Sequence, residues 1–133
     1  MGTRRRSFLG AFLRYWLPVL AYVTLIFALS SIHNLAPPTD WPNADKGAHL
    51  IEYSILGLLL VRAYRGSGVF PTLLPSSLLA LITGFATGIA DELFQAHVPG
   101  RVSSAADFLA DAAGVAVGQL LFAFLFRRAR HLR

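Results

Sequence analysis

"ADELFQAHVPGRVSSAADFLAD", residues 90–111, places four acids, a glutamine, a histidine and an arginine between two apolar runs. "PSSLLALITGFATGI" (75–89) precedes it and "AAGVAVGQLLFAFLF" (112–126) follows it. Pro99-Gly100 marks a turn at the centre. Each run, with its polar end included, spans about 20 residues, the length that crosses about 30 Å of hydrocarbon as a helix. The stretch therefore reads as the polar tip of a helical hairpin folded back through a membrane.

Composition supports that reading. Hydrophobic residues make up 55% of the 133-residue chain and charged residues 14%, with a mean hydropathy of +0.55. Soluble domains carry about 25% charged residues, so this chain has too little polar surface for a water-soluble fold. It contains no cysteine, which excludes disulfides, thiol nucleophiles and thiolate metal sites. The net charge of +5 sits on arginines flanking apolar runs, a membrane pattern rather than a nucleic-acid one.

Two further segments complete a set of four: Tyr15 to Ile32 and Lys46 to Val61, then Pro75 to Phe94 and Ala105 to Phe126. Backbone in lipid must bond within itself, so all four are expected to be helices. The expected architecture is all-α, an integral membrane four-helix bundle. Residues 15–126 form its transmembrane domain, and 1–14 and 127–133 are basic cytoplasmic ends. The first segment has a positive n-region like that of a signal peptide, but its apolar run is long and starts with bulky aromatics, so it reads as a span.

Arithmetic orients the bundle. With four spans, one side receives Arg4, Arg5, Arg6, Arg14, Arg62, Arg65, Arg127, Arg128, Arg130 and Arg133, and the other only Lys46 and Arg101. The positive-inside rule makes the first side cytoplasmic, with both termini. All seven acids (Asp40, Asp45, Glu52, Asp91, Glu92, Asp107 and Asp111) fall toward the outer side, with His33, His49 and His97. Glu52 lies about 10 Å along the helix axis from Asp45, so its carboxylate must face protein or a polar pocket rather than lipid.

The polar residues lie in stripes. Gly84, Gly88, Asp91 and Gln95 share one face of the third helix, and Asp107, Asp111, Gly114 and Gly118 one face of the fourth. Lys46, His49, Tyr53 and Gly57 form a related stripe on the second. If the third and fourth helices pair, glycine is expected to meet glycine in the inner half and polar group to meet polar group in the outer half. Gly88 and Gly114 should then resist larger side chains, and Gly68, in a loop, should accept one.

"DKGAHLIEYSILGLLL" (45–60) and "DELFQAHVPGRVSSAADFLADAAGVAVG" (91–118) resemble the VanZ-like family of small bacterial membrane proteins. The pattern D-K-x-x-H-x-x-x-Y-x-x-L-G falls on Asp45, Lys46, His49, Tyr53, Leu56 and Gly57. D-E-x-x-Q, the following R and D-x-x-x-N-x-x-G-x-x-x-G fall on Asp91, Glu92, Gln95, Arg101, Asp107, Gly114 and Gly118. Asp111 departs from the pattern, which has Asn there; Asn donates and ionised Asp only accepts. The resemblance implies a cell-envelope protein with an association to antibiotic resistance, and implies no settled activity.

Each polar residue has a bland reading beside the chemical one. Ser104 and Asp107 form an S-x-x-D capping box. Asp91 and Glu92 sit at the unfavourable negative end of a helix dipole and need a partner, which Arg101, Lys46 or His49 could supply. Arg101 is either their structural partner or a grip for a phosphate or carboxylate. His49 is either a paired buried histidine or a base oriented by a carboxylate. His49, Glu52, Asp91, Asp107 and Asp111 are metal-ligand types, but no H-E-x-x-H or comparable spacing occurs, so no metal is expected and the cofactor is left open.

The expected site therefore takes His49, Asp91 and Glu92 as proton-transfer residues, and Lys46, Tyr53, Gln95, Arg101, Asp107 and Asp111 as ligand-binding ones. The first helix, without an ionisable residue in its apolar run, is expected only to pack. Expected partners are membrane lipid, an anionic envelope precursor and a second copy of the chain, but not nucleic acid. Three functions compete: binding or processing an anionic envelope precursor, a non-catalytic membrane protein with the polar cluster as a clasp, and an ion- or proton-coupled transporter.

Orientation is directly testable in a chain without cysteine. In intact cells an impermeant thiol reagent should label Trp41→Cys and Val98→Cys and spare Arg65→Cys; the opposite pattern reverses the topology.

Overall fold

A computed structural model of the protein describes residues 8–32, 42–70, 72–101 and 103–131, with side chains to Phe126 in the last helix. Arg4, Arg5, Arg6, His33, Asp40, Trp41 and Arg133, and the side chains of Arg127, Arg128 and Arg130, lie outside the described residues.

The described chain is all-helical, with four long helices. α1 runs from Phe8 to Ser30, α2 from Ala44 to Gly66, α3 from Leu73 to Gln95 and α4 from Ala105 to His131. α1 begins earlier than its hydropathy suggested and contains a π-helical turn over Phe12–Trp16. Pro18 lies just beyond that turn. Its ring supplies no N–H for an ordinary helical bond, and a widened turn accommodates the loss. Asn43 opens α2 from a left-handed conformation, φ 62°, which asparagine tolerates better than most residues.

α1, α3 and α4 are each long and apolar enough to cross a membrane. α2 has the length, 23 residues, or about 35 Å, but carries Asp45, Lys46, His49, Glu52, Arg62 and Arg65. The fold shields it. Tyr53, Leu56, Gly57, Leu60, Val61 and Ala63 of α2 are buried, and α2 packs against all three other helices, most extensively α4. The more apolar helices turn their large side chains outward: Ile82 is 63% exposed, Leu109 65% and Leu120 71%. So much exposed apolar surface is what lipid solvates and water does not.

The helices alternate in direction. Arg14 and Arg62 stack on the Tyr15 ring, and Arg65 lies over Phe126. That basic end joins the start of α1, the end of α2 and the far half of α4. The opposite end joins Ser30, Lys46, Gln95 and Ser104, the polar ends of all four helices.

The glycine stripes are buried as expected, but their partners differ. A Cβ at Gly114 would sit 2.5 Å from the Leu50 carbonyl oxygen, and one at Gly118 would collide with the Ser54 carbonyl. On the facing helix, a Cβ at Gly57 would collide with the Val115 backbone. The close seam is therefore α2 against α4. On α3, Gly84 faces the Val115 side chain and Gly88 faces Asp111 and Tyr53, so α3 rests on side chains in a shallower groove. The physical reason is reciprocity. Gly57 on α2 and Gly114 and Gly118 on α4 are flat at the same level, so backbone meets backbone.

Gly68 also departs from expectation. Open space surrounds it, but its φ is 83°, a conformation that costs a side-chain-bearing residue about 1–2 kcal/mol. Gly47, which has nothing within 4 Å and no positive φ, is the better control. Gly118→Leu and Gly57→Leu should each destabilise by at least about 3 kcal/mol, since backbone cannot move aside as a side chain can. Gly47→Ala should change little. Thermal unfolding in detergent measures all three; equal tolerance would remove the α2–α4 seam.

Candidate functional site

The polar end is built from α2, α3 and α4 and closed by the end of α1. Asp91, Glu92, Asp107 and Asp111 are all buried, at 0%, 7%, 5% and 1% exposure. Four nearly dry carboxylates at one level of an apolar bundle are costly, so their partners matter.

Asp111 faces α2. His49 Nδ1 lies 2.8 Å from Asp111 Oδ1. With its Nδ1–H donated there, the ring leaves Nε2 as a base or ligand. Asp107, one turn earlier, both caps α4 and pairs with α2. Its backbone N–H donates to Ser104 Oγ at 3.1 Å, and that hydroxyl donates to Asp107 Oδ2 at 2.7 Å. Lys46 Nζ stands 3.2 Å from Asp107 Oδ1 and 2.8 Å from Asp45 Oδ2. The contact with Asp107 is close in distance but off the hydrogen-bond direction, because Oδ1 has no hydrogen-bond donor. The capping reading and the ion-pair reading of Asp107 thus hold together.

Asp91 and Glu92 are met by neutral donors. Tyr53 OH donates to Asp91 Oδ2 at 3.4 Å and Gln95 Nε2 to the same oxygen at 3.0 Å. Ser103 Oγ and the Ser104 N–H donate to Glu92 Oε2 at 2.7 and 3.0 Å. Glu92 ends α3, where the dipole disfavours it, but it also touches the first turn of α4, where the dipole favours an anion. The hairpin at 96–104 brings those two helix ends together.

Arg101 reaches α1. Its Nε donates to the Ser30 carbonyl at 3.4 Å and a terminal nitrogen to the Leu29 carbonyl at 3.5 Å. Both are end-of-helix carbonyls, where a cation is favoured; Leu29's also accepts from the Ile32 N–H at 3.1 Å. Gln95 Nε2 also donates to Ser30 Oγ at 3.2 Å, and Tyr22 OH to the Glu52 carbonyl at 3.1 Å. α1 is therefore more than packing: it contributes a hydroxyl, a phenol and its terminal carbonyls to the polar end. Ser30 and Ser103, which sequence reasoning missed, are small hydroxyls at segment ends. The Ser30-Ser31 pair closing an apolar run was their only local signal.

Asp91 Oδ1, Glu92 Oε1 and Asp111 Oδ2 are buried without a hydrogen-bond partner. One donor atom each from His49, Glu92 and Asp111 lies within 4.8 Å of the other two. All nine expected site residues lie at this end. By contrast, a groove of about 480 Å³ in the other half, between α3 and α4, is lined by Leu73, Leu81, Ala116 and Leu120 with Ser77 and Gln119, and by no titratable group.

Arg101→Ala should lower the unfolding free energy by about 1–3 kcal/mol, because the carbonyl of the buried Ser30 loses the guanidinium that donates to it. Ser104→Ala should cost about 1 kcal/mol as a lost cap. Denaturation of the purified protein reads both, and an unchanged midpoint for Arg101→Ala would remove its role as the α1 clasp.

The VanZ/LLP1 family model matches residues 7–127. No curated protein and no solved structure matches the chain.

Proposed function

The chain belongs to the VanZ/LLP1 family, and we propose that the polar end of its bundle is an outward-facing site for the anionic headgroup of an envelope lipid or lipid-linked precursor. The termini are cytoplasmic in this reading, with Arg14, Arg62 and Arg65 on the inner side. The observation that carries it is the position of the cluster. Buried, partly unmet polar groups lie at one end of a bundle whose flanks are apolar and exposed. An amphiphile lying against those flanks would present its headgroup at that level.

The residues take roles by their partners. Lys46, half-buried at the rim and shared between Asp45 and Asp107, is the cation able to turn toward a headgroup. Arg101 holds α1 and sets the wall of the site. His49, oriented by Asp111, is the candidate base, and Asp91 and Glu92 line the interior. Tyr53 and Gln95 position Asp91.

One observation favours a second reading, a non-catalytic clasp: the chain Tyr53–Asp91–Gln95–Ser30 ties α2, α3 and α1 together. A single experiment separates the two. The full chain in detergent is titrated with a long-chain alkyl diphosphate and with the uncharged alcohol of equal length. The headgroup reading expects saturable binding of the diphosphate alone, weakened about tenfold or more by Lys46→Ala with the fold retained. Equal binding of both ligands, or none of either, leaves the clasp.

A further inference from the structure

The acidity of the proposed headgroup site poses an electrostatic problem. Four buried carboxylates would repel the anion they are meant to surround, and their repulsion for one another is itself unfavourable. Lys46 divides its charge between Asp45 and Asp107. The interior acids, Asp91 and Glu92, have the neutral donors described above.

We propose that His49, Glu92 and Asp111 form a divalent-cation site. They come from α2, α3 and α4, and one donor atom from each lies within 4.8 Å of the other two. Ligands of a bound ion stand about 3–3.5 Å apart at metal–ligand lengths of about 2.0–2.2 Å, so small side-chain rotations close the set. A second observation points to the same ligand. Both carboxylates are more than nine-tenths buried, and each has an oxygen with no hydrogen-bond partner, Glu92 Oε1 and Asp111 Oδ2. Asp91 Oδ1 is a third such oxygen on the neighbouring residue. A buried carboxylate oxygen without a donor is disfavoured, and a cation satisfies several at once.

The donors define the class of ion. One imidazole and two carboxylates, with no sulfur, suit a first-row divalent ion such as Mn²⁺ or Zn²⁺. His49 Nδ1 and Asp111 Oδ1 already stand 2.8 Å apart, so an ion held by both takes the place of the proton they share, and His49 must be deprotonated at Nδ1 to bind it. Glu92 is steadied through its other oxygen by Ser103 and the Ser104 N–H. Three protein ligands leave coordination positions open for water or phosphate oxygens. That last role, bridging the acids to an anionic headgroup, rests on the proposed function above; the site itself does not.

The test uses the full chain in detergent, stripped with a chelator and titrated with Mn²⁺, the free ion being followed by its paramagnetic resonance. One saturable Mn²⁺ per chain, displaced by Zn²⁺, is expected. Glu92→Gln and Asp111→Asn should each weaken it by at least about tenfold, and Asp45→Asn should leave it unchanged. Mn²⁺ should also raise the melting temperature of the parent and not that of either site variant. If a site variant fails to fold, the parent decides alone: absence of saturable Mn²⁺ or Zn²⁺ binding overturns the site. Equal weakening by Asp45→Asn also overturns it, as diffuse charge attraction. Diphosphate-lipid binding that persists in chelator overturns the bridging role and leaves the headgroup reading standing. Metal binding without lipid binding supports the site and rejects the headgroup reading.

Discussion

Backbone contact between α2 and α4 sets the rest of the molecule. At Gly57, Gly114 and Gly118 the two helices approach so closely that an added Cβ would strike the facing helix's carbonyl oxygens. Lipid gives little hydrophobic force to hold helices together, so close packing and polar contacts must do it. The seam also sets register. With Gly114 against Leu50, His49 comes opposite Asp111 and Lys46 comes opposite Asp107. A slip of one turn would separate both pairs and bury their charges unmet.

α3 joins this pair through side chains instead of backbone. Val115 fills the space beside Gly84, and Asp111 and Tyr53 fill that beside Gly88. The lack of a side chain at Gly88 thus gives the buried Asp111 its room. Packing and chemistry meet at one residue, where this chain has aspartate in place of the family pattern's asparagine. An asparagine would donate a hydrogen bond. Aspartate adds a negative charge, paired to His49 through one oxygen and unmet at the other. The substitution raises the demand for a counter-charge at the level where the remaining carboxylates gather.

Much of the site was legible in the sequence because helical spacing is a local rule. The 4-3-4 spacing in α3 and α4 predicts one buried face each, and Gly84, Gly88, Asp91, Gln95, Asp107, Asp111, Gly114 and Gly118 are all buried. The S-x-x-D cap is equally local and holds in detail. Partners across helices were not legible. Arg101 lies six residues beyond Gln95, yet its described bonds reach α1, about 70 residues away. Linear spacing also hides the donor set of His49, Glu92 and Asp111, since no helix carries two of them.

The sequence by itself determined the class of protein: its apolar content, segment lengths and lack of polar surface leave lipid-embedded helices as the solution for its backbone. It also determined which face of each helix turns inward, because placing Asp91 or Asp111 toward lipid is energetically prohibited in a way that placing Leu120 there is not. Only the tertiary structure decided which inward faces touch. Glycine stripes on three helices permit several close pairings of similar local quality. The choice of α2 against α4 came from the match of flat surfaces at equal depth along both helices, a property of the pair that no single segment contains.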